Sequence, residues 1–185
     1  MVSRIPSSIE VFWIGADGSV QDTYLYDGSP WRTFQLAPAG SASTRGRITA
    51  VSRAPNTIEV FWTGADGSVQ DANWYEGRTW SRFQLAPPGS ASVTGGLTAV
   101  SRARHTMELF YTGPNGSVQD AYWSEGSAWN RFALAPPGSA SLTGGVAATA
   151  RVPNSVELWY IGANGSVQDA YLYIGSPWRS FQIAP

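Results

Sequence analysis

The sequence is one passage written four times at a step of 49 residues. Trp31, Trp80, Trp129 and Trp178 keep that step, as do Glu10, Glu59, Glu108 and Glu157, and Gly18, Gly67, Gly116 and Gly165. A repeat of this length forms one supersecondary element that cannot bury its apolar face alone, so the chain must stack copies of a single small element. The repeat constrains function as well. A site made by one copy recurs in the others, which favours multivalent binding over single-site chemistry.

Within the second repeat, Val51 to Ala99, turn residues mark out four short segments. The first is Ile48–Arg53, carried in from the preceding linker, and Ala54-Pro55-Asn56 turns it into Ile58–Trp62. Asp66-Gly67 is a hairpin signal, because the tight turn demands a positive φ. Ser68–Tyr75 and Trp80–Leu85 complete the set. All four are rich in β-branched and aromatic residues, and none has a helical period. Ile58, Val60 and Trp62 alternate with Glu59 and Phe61, so both faces carry large apolar groups, as when a sheet lies between two neighbours. The predicted fold is an all-β propeller with four four-stranded blades in a single domain, residues 1–185, cut as 2–50, 51–99, 100–148 and 149–185. A β-solenoid competes poorly, since its coils are usually shorter. Closing a ring from four blades needs about 90° between neighbours, whereas face-packed sheets prefer about 30°. The expectation is therefore eight blades from a homodimer, with a lone four-bladed ring as the alternative.

Length and composition narrow the partners. With 185 residues the chain can bury a sizeable core. A net charge of −1 with 14% charged residues argues against nucleic acid and acidic lipid. The 12 basic residues are all arginine, and the absence of cysteine excludes disulfides. No apolar run has the length of a membrane span, and Met1 leads straight into the repeat without a visible signal peptide, which leaves secretion or action at a cell surface by another export route, or a trimmed chain, as the expectations.

All 13 acidic residues fall into four columns of the repeat. Asp17 and Asp66, replaced by Asn115 and Asn164, belong to the hairpin turn and have a backbone explanation. Asp27, Glu76 and Glu125, replaced by Ile174, precede a loop glycine. The other two columns lie inside strands among large apolar residues, where a carboxylate must find partners. They are Glu10, Glu59, Glu108 and Glu157, and Asp22, Asp71, Asp120 and Asp169. Arg4, Arg53, Arg102 and Arg151 can pair with the glutamates across the first hairpin, but two acids per repeat exceed what one arginine requires, so both acid columns and these arginines are candidate carbohydrate-binding residues.

The tryptophans Trp31, Trp80, Trp129 and Trp178 open the fourth strand of each repeat, either as packing wedges or as sugar platforms. Indole stacks on pyranose C–H faces while carboxylates accept hydroxyl hydrogen bonds. Tyr24, Tyr122 and Tyr171 form another aromatic column broken by Asn73. Trp74 and Trp123 give way to Leu25 and Leu172, which reads as core or interface. His105, the one histidine, lies in a hairpin turn away from other ligating or nucleophilic residues, so neither a metal site nor a nucleophile–base pair is supported. Paired carboxylates can hydrolyse glycosides. Four copies of such a pair argue for binding instead.

The layout ITAVSR…IEVFW-x-G-ADGSVQDAYW…W…F resembles the blades of bacterial and fungal propeller lectins, namely the Photorhabdus-type and Aleuria-type fucose-binding lectins, with the tectonins as a looser relation. The resemblance covers the whole chain and implies sugar pockets between adjacent blades. In the fungal type an arginine, an acid and an aromatic from the next blade hold the sugar. The resemblance maps that acid onto Asp22, Asp71, Asp120 and Asp169, and the aromatic onto Trp31, Trp80, Trp129 and Trp178. The chain departs at the arginine position, where Glu10, Glu59, Glu108 and Glu157 stand, and it has four repeats where a Photorhabdus-type chain has seven blades. The expected function is a multivalent lectin for fucose, galactose or related sugars, with no enzymatic activity and no cofactor. Its partners are glycans and a second copy of itself. The alternative is a structural or protein-binding propeller, such as a trimmed or engineered half-ring.

Overall fold

The computed structural model of the chain describes every residue except Ile174, so the last member of the loop column lies outside the described residues. The described residues form fifteen strands and no helix. The first sheet contains β1 (Ser8–Ile14), β2 (Val20–Tyr26) and β3 (Arg32–Ala37). The second contains β4 (Ile48–Val51), β5 (Thr57–Thr63), β6 (Val69–Tyr75) and β7 (Ser81–Ala86). The third contains β8 (Leu97–Val100), β9 (Thr106–Thr112), β10 (Val118–Ser124) and β11 (Asn130–Ala135). The fourth contains β12 (Val146–Thr149), β13 (Ser155–Ile161), β14 (Val167–Tyr173) and β15 (Arg179–Ala184). Every pairing is antiparallel between chain neighbours, so each sheet is a meander.

One sequence expectation needs correction. The first sheet has three strands where four were expected, with only Val2 beyond them. Val2 N–H donates to the Glu10 carbonyl at 2.9 Å, and Glu10 N–H donates back at 2.8 Å. One residue can make a bridge of this kind but not a ladder. Ile48, Thr49 and Ala50 pair with Trp62, Phe61 and Val60, so the strand carried in from the preceding linker opens the second sheet. The chain divides into two compact units, Met1–Val93 and Thr94–Pro185.

The hairpins explain why the step is so regular. Asp66 Oδ1 accepts the Ser68 N–H at 2.9 Å, which fixes the turn, and Gly67 takes φ 75°. A Cβ at Gly67 would lie 2.9 Å from the Ala91 carbonyl oxygen, too close for any other residue. That approach is used, because Ala91 N–H donates to the Gly67 carbonyl at 2.8 Å and clips the outgoing linker to the hairpin. The other turn places Ser7, Asn56, His105 and Asn154 in the left-handed region, with φ between 60° and 67°.

In the N-terminal unit, Phe12, Val20 and Leu36 of the first sheet pack on Ile58, Val60, Trp62 and Ala72 of the second. In the C-terminal unit, Phe110 and Val118 meet Val156, Leu158, Tyr160 and Ala170. Burying each large side chain contributes about 1.5–3 kcal/mol. These cores bring consecutive sheets face to face and leave a cleft further along the strands.

Candidate functional site

In the N-terminal unit the cleft is about 320 Å³, lined by Glu10, Asp22, Tyr24, Tyr26 and Phe34 from the first sheet and by Trp74 and Trp80 from the second. Strand register explains the first wall. Glu10 lies opposite Tyr24, Phe12 opposite Asp22, and Asp22 opposite Phe34, so all of these side chains stand on one face. The second wall has the same cause, since Trp74 lies opposite Ile58 on the face that carries the core residues Ile58 and Val60.

Asp22 is the unusual member. Its side chain is fully buried, and neither oxygen has a hydrogen-bond partner among the described residues. Burial, and next the charge of Glu10, push its carboxyl up to about 7. Native structures rarely leave a buried carboxylate unpartnered, because the desolvation is not recovered. Such a group is a functional signal when it sits in a cleft.

Glu10 is held differently. Arg4 Nε donates to Glu10 Oε1 at 3.0 Å, Arg4 Nη1 donates to Asn56 Oδ1 at 3.0 Å, and Arg4 Nη2 donates to the Tyr26 hydroxyl. The guanidinium also lies 4.2 Å from the Trp74 ring centre and 4.7 Å from that of Tyr26. Arg4 is therefore a clamp joining two sheets, with each of its three nitrogens donating to protein. Burial raises the Glu10 carboxyl, and Arg4 partly opposes that.

The four expected Arg–Glu pairs all form. The separations are 3.0 Å for Arg4–Glu10, 3.9 Å for Arg53–Glu59, 2.7 Å for Arg102–Glu108 and 2.9 Å for Arg151–Glu157. The aspartates follow the glutamates in each sheet. Asp71 is pushed well above the usual carboxylate range by burial and by Glu59, which itself is raised to about 7 by burial. Asp120 rises to about 8 from burial and the charge of Glu108, and Asp169 rises for the same kind of reason beside Glu157.

The tryptophan column divides. Trp80 packs edge-on against Phe12 and tilts over Phe34, and Trp178 meets Phe110 in the same way in the C-terminal unit. Trp31 is 52% exposed and joins no carboxylate, and Trp129 is half-buried. Two contributors escaped the sequence reading. Trp74 lines the cleft where core or interface was expected. The tyrosines Tyr26, Tyr75 and Tyr173 bond to the glutamates, with Tyr75 Oη donating to Glu59 Oε1 at 2.5 Å. Their constant spacing of 16 residues after the glutamate was the available signal. The third repeat breaks it with Ser124.

No protein-family model matches the sequence, and no curated protein does. Among solved structures, the fold is similar to that of the BP39L lectin from Burkholderia pseudomallei, with a TM-score of 0.88 and 19% identity over 98% of this chain and 53% of that one. It is similar to the SapL1 lectin, solved in complex with alpha methyl fucoside, with a TM-score of 0.79 and 21% identity over 96% and 62%. It also resembles the lectin of Aleuria aurantia, a six-bladed β-propeller with a novel fucose recognition mode, with a TM-score of 0.71 and 15% identity over 96% and 57%. These sheets are β-propeller blades. The likeness is one of fold, and the chain spans between 53% and 62% of those proteins.

Proposed function

We propose that the chain is a multivalent carbohydrate-binding lectin with its sites between consecutive sheets, recognising fucose, galactose or a related sugar. The observation that carries this reading is Asp22, a buried carboxylate without a protein partner in a cleft lined by Trp74, Trp80, Tyr24 and Phe34. Sugar hydroxyls donate to carboxylates, and apolar ring faces stack on indole, so one pyranose answers both walls. The solved relatives in complex with fucosides support fucose as the first ligand to test. By register, the site repeats at Glu108 and Asp120 under Trp178, with Leu172 and Ser124 replacing Trp74 and Tyr26 and making a less aromatic cleft.

The ring is completed by a second copy. Phe181 and Ile183 are 53% and 51% exposed on the fourth sheet, whereas the equivalent Leu36 of the first sheet is 6% exposed against its neighbour. Trp31, at the other end of the series, is equally uncovered. A homodimer of eight blades would bring these surfaces together, and sedimentation equilibrium tests it. A monomer at micromolar concentration removes the dimer. Calorimetry with α-methyl fucoside and methyl galactosides tests the site. A stoichiometry lowered by one site in Asp22→Asn supports it, and the absence of binding to any monosaccharide overturns it.

A further inference from the structure

The geometry points to an extended site, in which the Asp22 cleft is the first of two joined subsites and the ligand is a neutral oligosaccharide crossing Trp80 into the second. This inference rests on the carbohydrate reading above and adds the size and charge of the ligand.

Trp80 lines two clefts. One is the cleft of Asp22, and the other is about 760 Å³ and includes Ser41, Trp62, Asp66, Gln70, Arg82 and Gln84. Both volumes fall within the range of about 300–1,000 Å³ typical of small-molecule sites. The strand period explains the continuity. Arg82 and Gln84 share one face of β7, which Trp80 immediately precedes, Gln84 lies opposite Gln70, and Gln70 opposite Trp62. These residues therefore form a ladder on the face turned toward the first sheet.

The second cleft is built into the blade. Residues at a step of 98 (Ser139, Tyr160, Asn164 and Gln168 for Ser41, Trp62, Asp66 and Gln70) line a cleft of about 330 Å³ in the C-terminal unit. Its shape is fixed before any ligand arrives. The hairpin is clipped to the linker, Trp62 Nε1 donates to the Ser41 carbonyl at 3.3 Å, and Gln70 Nε2 donates to Ser68 Oγ at 2.7 Å. Preorganisation of this kind lowers the entropy lost on binding.

Its charge selects the ligand. Asp66 is held below the usual carboxylate range by Ser68 and is ionised at neutral pH, while Arg82 adds a cation to the same lining. Opposite charges beside amides and indoles suit a polyol that both donates and accepts, and give no net attraction to an anion. The fourth repeat has Asn164 and Ser180 at these positions, so the extension is weaker in the C-terminal unit.

The test uses the full chain with two probes, α-methyl fucoside and the neutral trisaccharide 2′-fucosyllactose. The trisaccharide should bind at least about tenfold tighter. It should shift the indole N–H resonance of Trp62 as well as those of Trp74 and Trp80, whereas the monosaccharide shifts those of Trp74 and Trp80 and leaves that of Trp62 in place. Arg82→Ser and Gln84→Ala alter exposed side chains, so both variants should fold. They should remove most of the trisaccharide advantage and leave the monosaccharide affinity unchanged. Equal affinity for the two probes, or equal weakening of both in these variants, overturns the extended site while the lectin reading stands. No binding of either probe overturns both.

Discussion

Trp80 of the second sheet meets Phe12 of the first edge-on, with ring centroids 6.1 Å apart and planes at 79°. Phe12 is part of the core between the sheets, and Trp80 lines the cleft, so one contact serves both packing and site. Trp80→Ala should destabilise the chain by about 3 kcal/mol, the low end for such truncations because the indole is only half-buried. It should also abolish sugar binding in the N-terminal unit. Urea titration and calorimetry read the two effects separately. Unchanged stability would show that Trp80 is not part of the inter-sheet packing.

The arginine column should divide by burial. The Arg4 side chain is 9% exposed and bridges Glu10, Tyr26 and Asn56, whereas that of Arg151 is 58% exposed beside Glu157. Removing one partner of a buried ion pair leaves the other charge uncompensated, so Arg4→Ala should cost about 3 kcal/mol at neutral pH. Arg151→Ala should cost less than about 1 kcal/mol, as exposed pairs do. Denaturation midpoints of the two variants check this. Equal losses would mean that the clamp geometry around Arg4 contributes nothing.

Most of the fold could be read from the sequence because its signals are local. The turn at Asp66-Gly67 and the alternation of Ile58, Val60 and Trp62 with Glu59 and Phe61 depend only on neighbours in the chain, and the strands lie where they place them. The carboxylate columns were equally visible, since an acid within an apolar strand stands out. What escaped depends on distant partners. Trp74 reads as core because its column tolerates leucine, and only inter-sheet packing sets it over Arg4. The four tryptophans look alike in sequence, yet Trp80 and Trp178 cover an aromatic of a neighbouring sheet while Trp31 stays exposed. Equivalent tryptophans acquire different roles through their position in the series, which no single repeat encodes.

That exposure gives the third prediction. Trp31→Ala should change the stability of a single chain by no more than about 0.5 kcal/mol, as surface substitutions do. If a second copy covers this indole, the same variant should weaken self-association at least about tenfold in sedimentation experiments. A dimer constant identical to that of the unaltered chain would place the interface elsewhere.

The buried acids set the pH dependence. Asp22 and Glu59 lie near pKa 7 and Asp120 near 8, chiefly through burial, against about 4 in an unfolded chain. Between these limits the folded chain holds protons that the unfolded chain has released. Stability from these groups is therefore complete below about pH 4 and is lost as pH rises through about 7 to 8. Asp17 and Asp66, held low by Ser19 and Ser68, titrate beneath this window and do not offset it. The urea midpoint should accordingly be lower at about pH 8.5 than at about pH 5, opposite to a protein whose carboxylates are stabilised as anions. Asp22→Asn removes one of the protons concerned, so its midpoint should vary less with pH. A midpoint that rises from pH 5 to 8.5 would show that these carboxylates find partners in solution and ionise at their ordinary values.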